Sequence, residues 1–340
     1  MSQTFLPVGK LPVSLLKQVI EEAPQLDERI LLGPGIGMDC AVIDLGGRCL
    51  VIKSDPITFA SDQIGWYAVQ VNANDIATTG AQPKWFSCTL LLPEGKTTPD
   101  DVLEITHQIN DACQKLGISV IGGHTEVTYN LDRPVVLGTL IGEVDKDRLI
   151  TPHGAQPGDV VLLTKGVPVE ATSILAREFA NDLRAVMTEA ELAMAANFLT
   201  VPGIGITRDA QIATQAGRVH AMHDPTEGGL AAALWELADA SGTSLVIERE
   251  AVHILPLGAR VCQFFNLDPF ATIASGALLL TAPESNASAI ILALQADGIQ
   301  CAAIGRVQPG PSAVYEIVEG RTSLLFRPER DEIGRVYAQD

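Results

Sequence analysis

Two short apolar runs, Cys40–Leu45 and Cys49–Lys53, are separated by Gly46-Gly47. Paired glycines supply the positive φ that a tight antiparallel turn requires, so these residues read as a β-hairpin. A chain that places a hairpin before its first long helix is not a purely parallel sheet. Beyond the hairpin, helical and strand patterns alternate. Asp62–Thr79 reads as a helix that enters the break Gly80-Ala81-Gln82-Pro83, and Trp85–Leu92 as a buried strand. Thr98-Pro99-Asp100-Asp101 has the marks of a helix start: a capping hydroxyl, proline in the first turn and carboxylates at the positive end. Val102, Ile105, Ile109, Ala112, Cys113 and Leu116 continue it at helical spacing, and Gly117 ends it. Strands are expected at Ile118–Ile121 and Val135–Val144.

The turn-rich stretch Lys146–Asp159 reads as a linker, which divides the 340 residues into domains 1–150 and 151–340. Beyond it the alternation restarts, with strands at Val160–Thr164, Val219–Met222, Ser244–Glu248, Gly276–Thr281 and Cys301–Val307. Helices are expected at Glu170–Ala180, Glu189–Phe198, Gly228–Ala240, near Leu257–Phe265 and at Ser285–Ala296. Hairpins mixed with βα units predict an α+β protein of two domains.

Charge narrows the function. With 41 acidic against 23 basic residues the formal net charge is −18. Such a chain lacks the basic footprint that dominates phosphate-backbone affinity, so no nucleic-acid partner is expected, and an anionic membrane surface is disfavoured for the same reason. The longest uncharged stretch, Leu192–Thr207, is broken by Pro202, Gly203 and Gly205 and is too short for a membrane span. Met1–Lys10 has no basic region followed by an apolar one, and the six cysteines form no CxxC pair. The expectation is a cytoplasmic protein with buried thiols.

The common motifs are missing. Gly95-Lys96-Thr97 supplies the tail of a Walker A loop, but Leu90 stands where its first glycine belongs. Gly33, Gly35 and Gly37 are followed by Met38, so there is no GxGxxG, and neither GxSxG nor HExxH occurs. His220 and His223 near a strand end read as one buried and one surface imidazole rather than a zinc pair.

Four aspartates stand out because each sits beside a glycine, asparagine or proline break at an element end: Asp39, Asp55, Asp75 and Asp224. Converging carboxylates repel unless a hard cation lies between them, and Mg²⁺ suits such a set because it takes oxygen ligands and shares its coordination with phosphates. The helix after Gly228-Gly229 would offer free N–H groups to a phosphate. Plainer alternatives stand beside each reading: Asp39 and Asp224 as caps or turn formers, Asn72 and Asn74 as local backbone partners.

Taken together, these segments resemble the AIR synthase–like superfamily of ATP-dependent enzymes, and within it the HypE-like branch. The resemblance rests on Gly9-Lys-Leu-Pro12, Gly37-Met-Asp-Cys-Ala-Val42, Ser54-Asp-Pro-Ile57 and Val71-Asn-Ala-Asn-Asp-Ile-Ala-Thr-Thr-Gly-Ala-Gln-Pro83. It continues in order through Gly122-Gly-His-Thr125, His223-Asp-Pro-Thr-Glu-Gly-Gly-Leu230 and Ala274-Ser-Gly-Ala-Leu-Leu279. It implies a homodimer in which N-terminal domains pair into a β-barrel, with ATP in a cleft beside it and its phosphates on Mg²⁺. Carried over, Asp39, Asp55, Asp75 and Asp224 are the metal candidates. Lys10, Asn72, Asn74, Gly122, Gly123, Thr125, Gly228 and Gly229 are the nucleotide candidates. His124 and Glu126 are the catalytic candidates, with a dimer-interface histidine as the alternative for His124.

The implied chemistry is phosphorylation of a carbonyl- or amide-type oxygen of a small-molecule or protein-borne substrate. Its alternatives are a thiamine-monophosphate-kinase-like enzyme and a nucleotide-binding maturation partner without turnover. Three residues depart from the HypE pattern. No cysteine follows Cys301, although that family carries one in a terminal tail. His124 stands where it has an aspartate, and Glu227 where it has a basic residue. Glu170, opening a helix, reads as a helix-start carboxylate or a substrate contact.

Overall fold

The computed structural model describes residues 6, 11–35, 38–57 and 62–337. In chain order the first part runs α1 (Val13–Glu21), β1 (Ile30–Leu32), β2 (Ala41–Asp44), β3 (Arg48–Ile57), α2 (Ile64–Thr78), β4 (Gln82–Pro93), α3 (Pro99–Leu116), β5 (Ser119–Thr128) and β6 (Val135–Asp145). Then come β7 (Val160–Thr164), α4 (Glu170–Glu178), α5 (Ala180–Leu183), α6 (Glu189–Ala196), α7 (Thr207–Ala216), β8 (Ala221–His223), α8 (Gly229–Ser241) and β9 (Ser244–Glu248). The chain closes with α9 (Pro256–Phe265), β10 (Leu279–Ala282), α10 (Glu284–Ala296), β11 (Cys301–Gln308), β12 (Ala313–Val318), β13 (Arg321–Leu324) and α11 (Gly334–Tyr337).

These elements form two sheets, so the α+β architecture holds. The first has the order β1-β2-β3-β6-β4-β5 and is antiparallel except for the β4–β5 pair. The second has the order β13-β12-β9-β11-β7-β10-β8 and is antiparallel except for β9–β12. The hairpin at Gly46-Gly47 forms with both glycines at positive φ. Helix α3 begins with a reciprocal capping box between Thr98 and Asp101 and ends on Gly117 in the left-handed region.

The two sheets are covered differently. In the second, Val161 and Leu163 of β7 pack under α8, while Val160 and Leu162 pack under α7 and α10. Both faces of β7 are therefore buried, which explains its uninterrupted apolar sequence. In the first sheet, α2 lies between β3, β6, α3 and α7 and is buried on nearly every side. Polar side chains on so enclosed a helix need internal partners or a ligand. Strand β5, at the edge, is exposed along almost all its length.

The sequence reading differs from the structure at a few elements. Strand β5 extends through Gly122-Gly123 to Thr128, so His124 sits mid-strand and not at a strand end. A Cβ on Gly123 would come 2.0 Å from the Cys88 carbonyl oxygen, so this glycine lets β5 approach β4 at a register shift. Helices α1 and α7 and strands β1, β12 and β13 escape the reading. Helix α7, Thr-Arg-Asp-Ala-Gln-Ile-Ala-Thr-Gln-Ala, has few large apolar residues to set a period.

Candidate metal and nucleotide site

The four aspartates come from four elements: Asp39 just before β2, Asp55 on β3, Asp75 on α2, and Asp224 between β8 and α8. They approach one another, but as two sets. Lys53, two residues before Asp55 on β3 and thus on the same strand face, places its Nζ 3.1 Å from Asp55 Oδ2 and 2.8 Å from Asp75 Oδ2. Burial opposes the Lys53 charge, but Asp75, Asp55 and Asp39 outweigh it and hold the ammonium above the ordinary lysine range. Burial and the nearby Asp224 push the Asp75 carboxyl up, with Lys53 opposing.

The second set gathers around His223. Its Nδ1 lies 3.9 Å from Asp39 Oδ2 and 3.8 Å from Asp224 Oδ1, and its Nε2 lies 2.7 Å from Glu236 Oε2 on α8. The donor atoms of Asp39, His223 and Asp224 all fall within 4.8 Å of one another. Asp224 is 2% exposed, and its Oδ2 has no hydrogen-bond partner among the described residues. Burial lowers the His223 pKa, but Asp224, Glu236 and Asp39 overcome it, and the imidazole is held well above its usual range. Burial likewise raises Asp39, against His223 and Lys53. Carboxylates thus outnumber cations at the edge of a buried region, and the buried Asp224 Oδ2 is unpartnered among the described residues. A divalent cation with oxygen ligands fits this donor set.

The asparagines hold the site and its surroundings in place. Asn72 accepts the Asp55 N–H at 3.0 Å and donates to Ala68 O at 2.8 Å. Asn74 donates to Ile204 O at 2.8 Å and accepts the Ile206 N–H at 2.9 Å, tying α2 to the loop before α7. Each end of each amide makes a bond within the chain, in keeping with the backbone-partner alternative: Asn72 positions Asp55 and Asn74 docks the second part of the chain.

Gly228 and Gly229 are likewise engaged within the chain. The Gly228 N–H donates to Asp331 Oδ2 at 2.6 Å, so a carboxylate of the chain itself caps the turn entering α8. The Gly229 N–H donates to Thr226 O at 2.9 Å, and a Cβ there would meet the Phe270 and Thr272 carbonyl oxygens at 2.6 Å. These glycines permit close backbone packing at positive φ.

Glu170 opens α4 as expected, yet it is no exposed helix-start carboxylate. It is 6% exposed, and its Oε2 has no hydrogen-bond partner among the described residues. Burial pushes its carboxyl up to about 7, the Ser275 hydroxyl pulls the other way, and Asp331, Glu227 and Asp224 add to the rise. The same neighbourhood raises Asp331 to about 6, chiefly by burial.

His124 and Glu126 pair with each other at 3.2 Å on the exposed strand β5. Asp55, Gly138, Cys88 and Gly123 lie in one row across β3, β6, β4 and β5. Three strand spacings therefore separate this pair from Asp55, about 14 Å. Within one subunit His124, Glu126, Gly122, Gly123 and Thr125 do not join the acidic site. Lys10 lies outside the described residues.

Lys53 and Glu236 were not singled out in the sequence, and the reading of His220 and His223 as one buried and one surface imidazole is corrected, since both side chains are 10% exposed. Lys53 had a signal: a lysine closing the apolar run Cys49–Ile52, spaced by two from a candidate ligand. His220 is not a partner of His223; its Nδ1 lies 2.9 Å from the Asp159 carboxylate.

Comparison with known proteins fits this architecture. Residues 37–144 match the model of the AIR synthase related protein N-terminal domain, and 156–317 that of the C-terminal domain. The chain belongs to the AIR synthase related family. It is 30% identical over 310 residues to the carbamoyl dehydratase HypE of Rhodobacter capsulatus, covering 88% of this chain and 86% of that one. It is 26% identical over 340 residues to a putative hydrogenase expression/formation protein of Methanocaldococcus jannaschii, covering 96% and 97%. Its fold is similar to the crystal structure of the hydrogenase maturation protein HypE in complex with ATP, at a TM-score of 0.70 and 24% identity, over 94% of this chain and 91% of that one. Among the described residues no helix is long and apolar enough to cross a membrane.

Proposed function

We propose that this chain is an ATP- and divalent-metal-dependent enzyme that activates a carbonyl- or amide-type oxygen by phosphorylation. The observation that carries the reading is the buried acidic constellation, whose Asp224 Oδ2 lacks a partner while Asp39 and Asp224 have no lysine or arginine within ion-pair distance among the described residues. HypE relatives described as carbamoyl dehydratases support the reaction class, and a similar fold solved with ATP supports the nucleotide.

Phosphoryl transfer is mostly positioning and neutralisation of charge. A bound divalent ion supplies that neutralisation. Asp39 and Asp224 would hold it, Lys53 would keep Asp55 and Asp75 in place without doubling the negative charge, and Asn72 would fix the backbone at Asp55. Glu170, neutral below about pH 7, suits a proton donor or a hydrogen-bond donor to a substrate oxygen.

The acceptor lies on another molecule, small or protein-borne. Cys301 is 3% exposed in β11, and burial pushes its thiol up to about 12. The other five cysteines are buried or half-buried, so no thiol of this sequence offers itself for modification. The exposed edge β5, with Val120, Ile121 and Val127 each about half exposed, supports a homodimer paired through the first sheet. His124 and Glu126 would then serve at the subunit boundary. A maturation partner protein is the second candidate to bear the substrate.

Calorimetry tests the reading. Asp224→Asn should weaken binding of ATP with Mg²⁺ by about 100-fold, and Asp75→Asn, which supports the site, by about 10-fold. Parent-like binding by both variants would overturn it.

A further inference from the structure

We propose that the Asp39–His223–Asp224 cluster is a mixed nitrogen–oxygen metal centre that selects a first-row transition ion such as Mn²⁺ over Mg²⁺. The inference rests on the metal-dependent reading above and specifies which cation the site takes.

The chain divides its carboxylates unequally. Asp55 and Asp75 already share the Lys53 ammonium. Asp39 and Asp224 instead face an imidazole, His223, which is 8% exposed. An ionised Glu236 can only accept a hydrogen bond, so at 2.7 Å it takes the proton on Nε2, and Nδ1, which faces Asp39 and Asp224, gives up its own proton to solvent when a cation binds there. A carboxylate behind a histidine, with its other nitrogen facing further carboxylates, is the arrangement that orients metal-binding imidazoles. Asp224 Oδ2, buried and unpartnered among the described residues, is a ligand atom available to a cation.

The spacing suits an ion. Metal–ligand bonds of about 2.1 Å place donor pairs from about 3 Å apart when adjacent to about 4.2 Å when opposite. The separations of 3.9 and 3.8 Å from Nδ1 to the two carboxylates fall in that interval. Mg²⁺ favours an all-oxygen octahedron and gains little from imidazole, whereas Mn²⁺, Fe²⁺, Co²⁺ and Zn²⁺ bind it increasingly well.

The full chain, freed of metal with a chelator and without nucleotide, would be titrated with Mn²⁺ alone and with Mg²⁺ alone. Pulsed electron paramagnetic resonance would then be recorded on the Mn²⁺ form. We expect Mn²⁺ to bind at least about tenfold more tightly than Mg²⁺ and to show coupling to a directly bound nitrogen. His223→Asn should remove that coupling. Glu236→Gln should keep it while lowering Mn²⁺ affinity about 10-fold. Should His223→Asn fail to fold by circular dichroism, parent protein labelled with ¹⁵N-histidine assigns the coupling instead. Mn²⁺ bound without nitrogen coupling, or equal affinity for the two ions, would overturn the inference. Binding of ATP with Mg²⁺ in the same preparations separates the outcomes: retained ATP binding with no nitrogen coupling removes this inference alone, while nitrogen coupling with no ATP binding under either ion removes the proposed function alone.

Discussion

Asp55 and Asp75 on one side, and Asp39 and Asp224 on the other, are the same chemical group in adjoining places, but the chain treats them differently. The first pair has a lysine of its own between its members, with its ammonium 2.8 Å from Asp75 Oδ2; the second has an imidazole and, in Asp224 Oδ2, a buried oxygen with neither a hydrogen bond nor an ammonium beside it among the described residues. A fixed ammonium cannot leave, so the Lys53 side is compensated at all times. On the His223 side the imidazolium supplies one positive charge against three carboxylates, and a bound cation would supply the rest. The contrast separates a structural use of charge from a ligand-binding one, and it can be broken by removing either cation.

The largest effect should come from Lys53→Met. Truncating one partner of a buried ion pair strands the other, so the variant should lose about 3–5 kcal/mol of stability in urea unfolding. Saturating Mn²⁺ or Mg²⁺ should recover part of that loss by giving Asp75 another counter-ion. His223→Asn should behave in the opposite sense, costing less stability without metal and more metal affinity. A metal-independent, equal destabilisation by both substitutions would erase the distinction.

Glu170 extends the comparison to a carboxyl with no ion-pair partner among the described residues. Its folded pKa of about 7 lies above the ordinary glutamate value of 4.5, so between those limits the native state holds a proton that the unfolded chain has released. Its stabilising contribution is therefore fully present below about pH 4.5 and lost by about pH 7, on the order of 3 kcal/mol over the window. Glu170→Gln should flatten the pH dependence of unfolding free energy there by that amount. An unchanged slope would mean the carboxyl is not buried neutral.

The smallest effect concerns the exposed edge of the first sheet. Val127→Asp on β5 should shift the mass in light scattering from dimer to monomer while leaving thermal stability within about 1 kcal/mol of the parent. A monomeric parent at micromolar concentration would remove the pairing, and with it any role for His124 and Glu126 near a cleft.

Much of the fold was legible because its signals are local. The Gly46-Gly47 hairpin, the Thr98–Asp101 capping box and the buried run Val160–Thr164 each follow from chemistry within a few residues. The four aspartates stand out in the sequence, but Asp55 lies inside β3 and Asp75 inside α2 rather than at element ends, and packing of those elements brings them together. The features that escaped depend on distance along the chain. Asp331 lies 103 residues from Gly228, whose N–H it takes, and Asn74 lies 130 residues from its Ile204 acceptor. No local pattern reports such partners. His124 was misplaced because Gly122-Gly123 reads as a strand end, when the pair in fact lets β5 continue close against β4.

The net charge of −18 makes the central claim directly testable. ATP carries roughly four negative charges, and it cannot sit beside these carboxylates unless a divalent ion comes with it. Calorimetric titration of the chelator-treated chain with ATP, first alone and then with Mg²⁺ or Mn²⁺, measures that dependence. The account predicts no detectable heat without the ion and saturable binding with it. Equal binding in both conditions would contradict it.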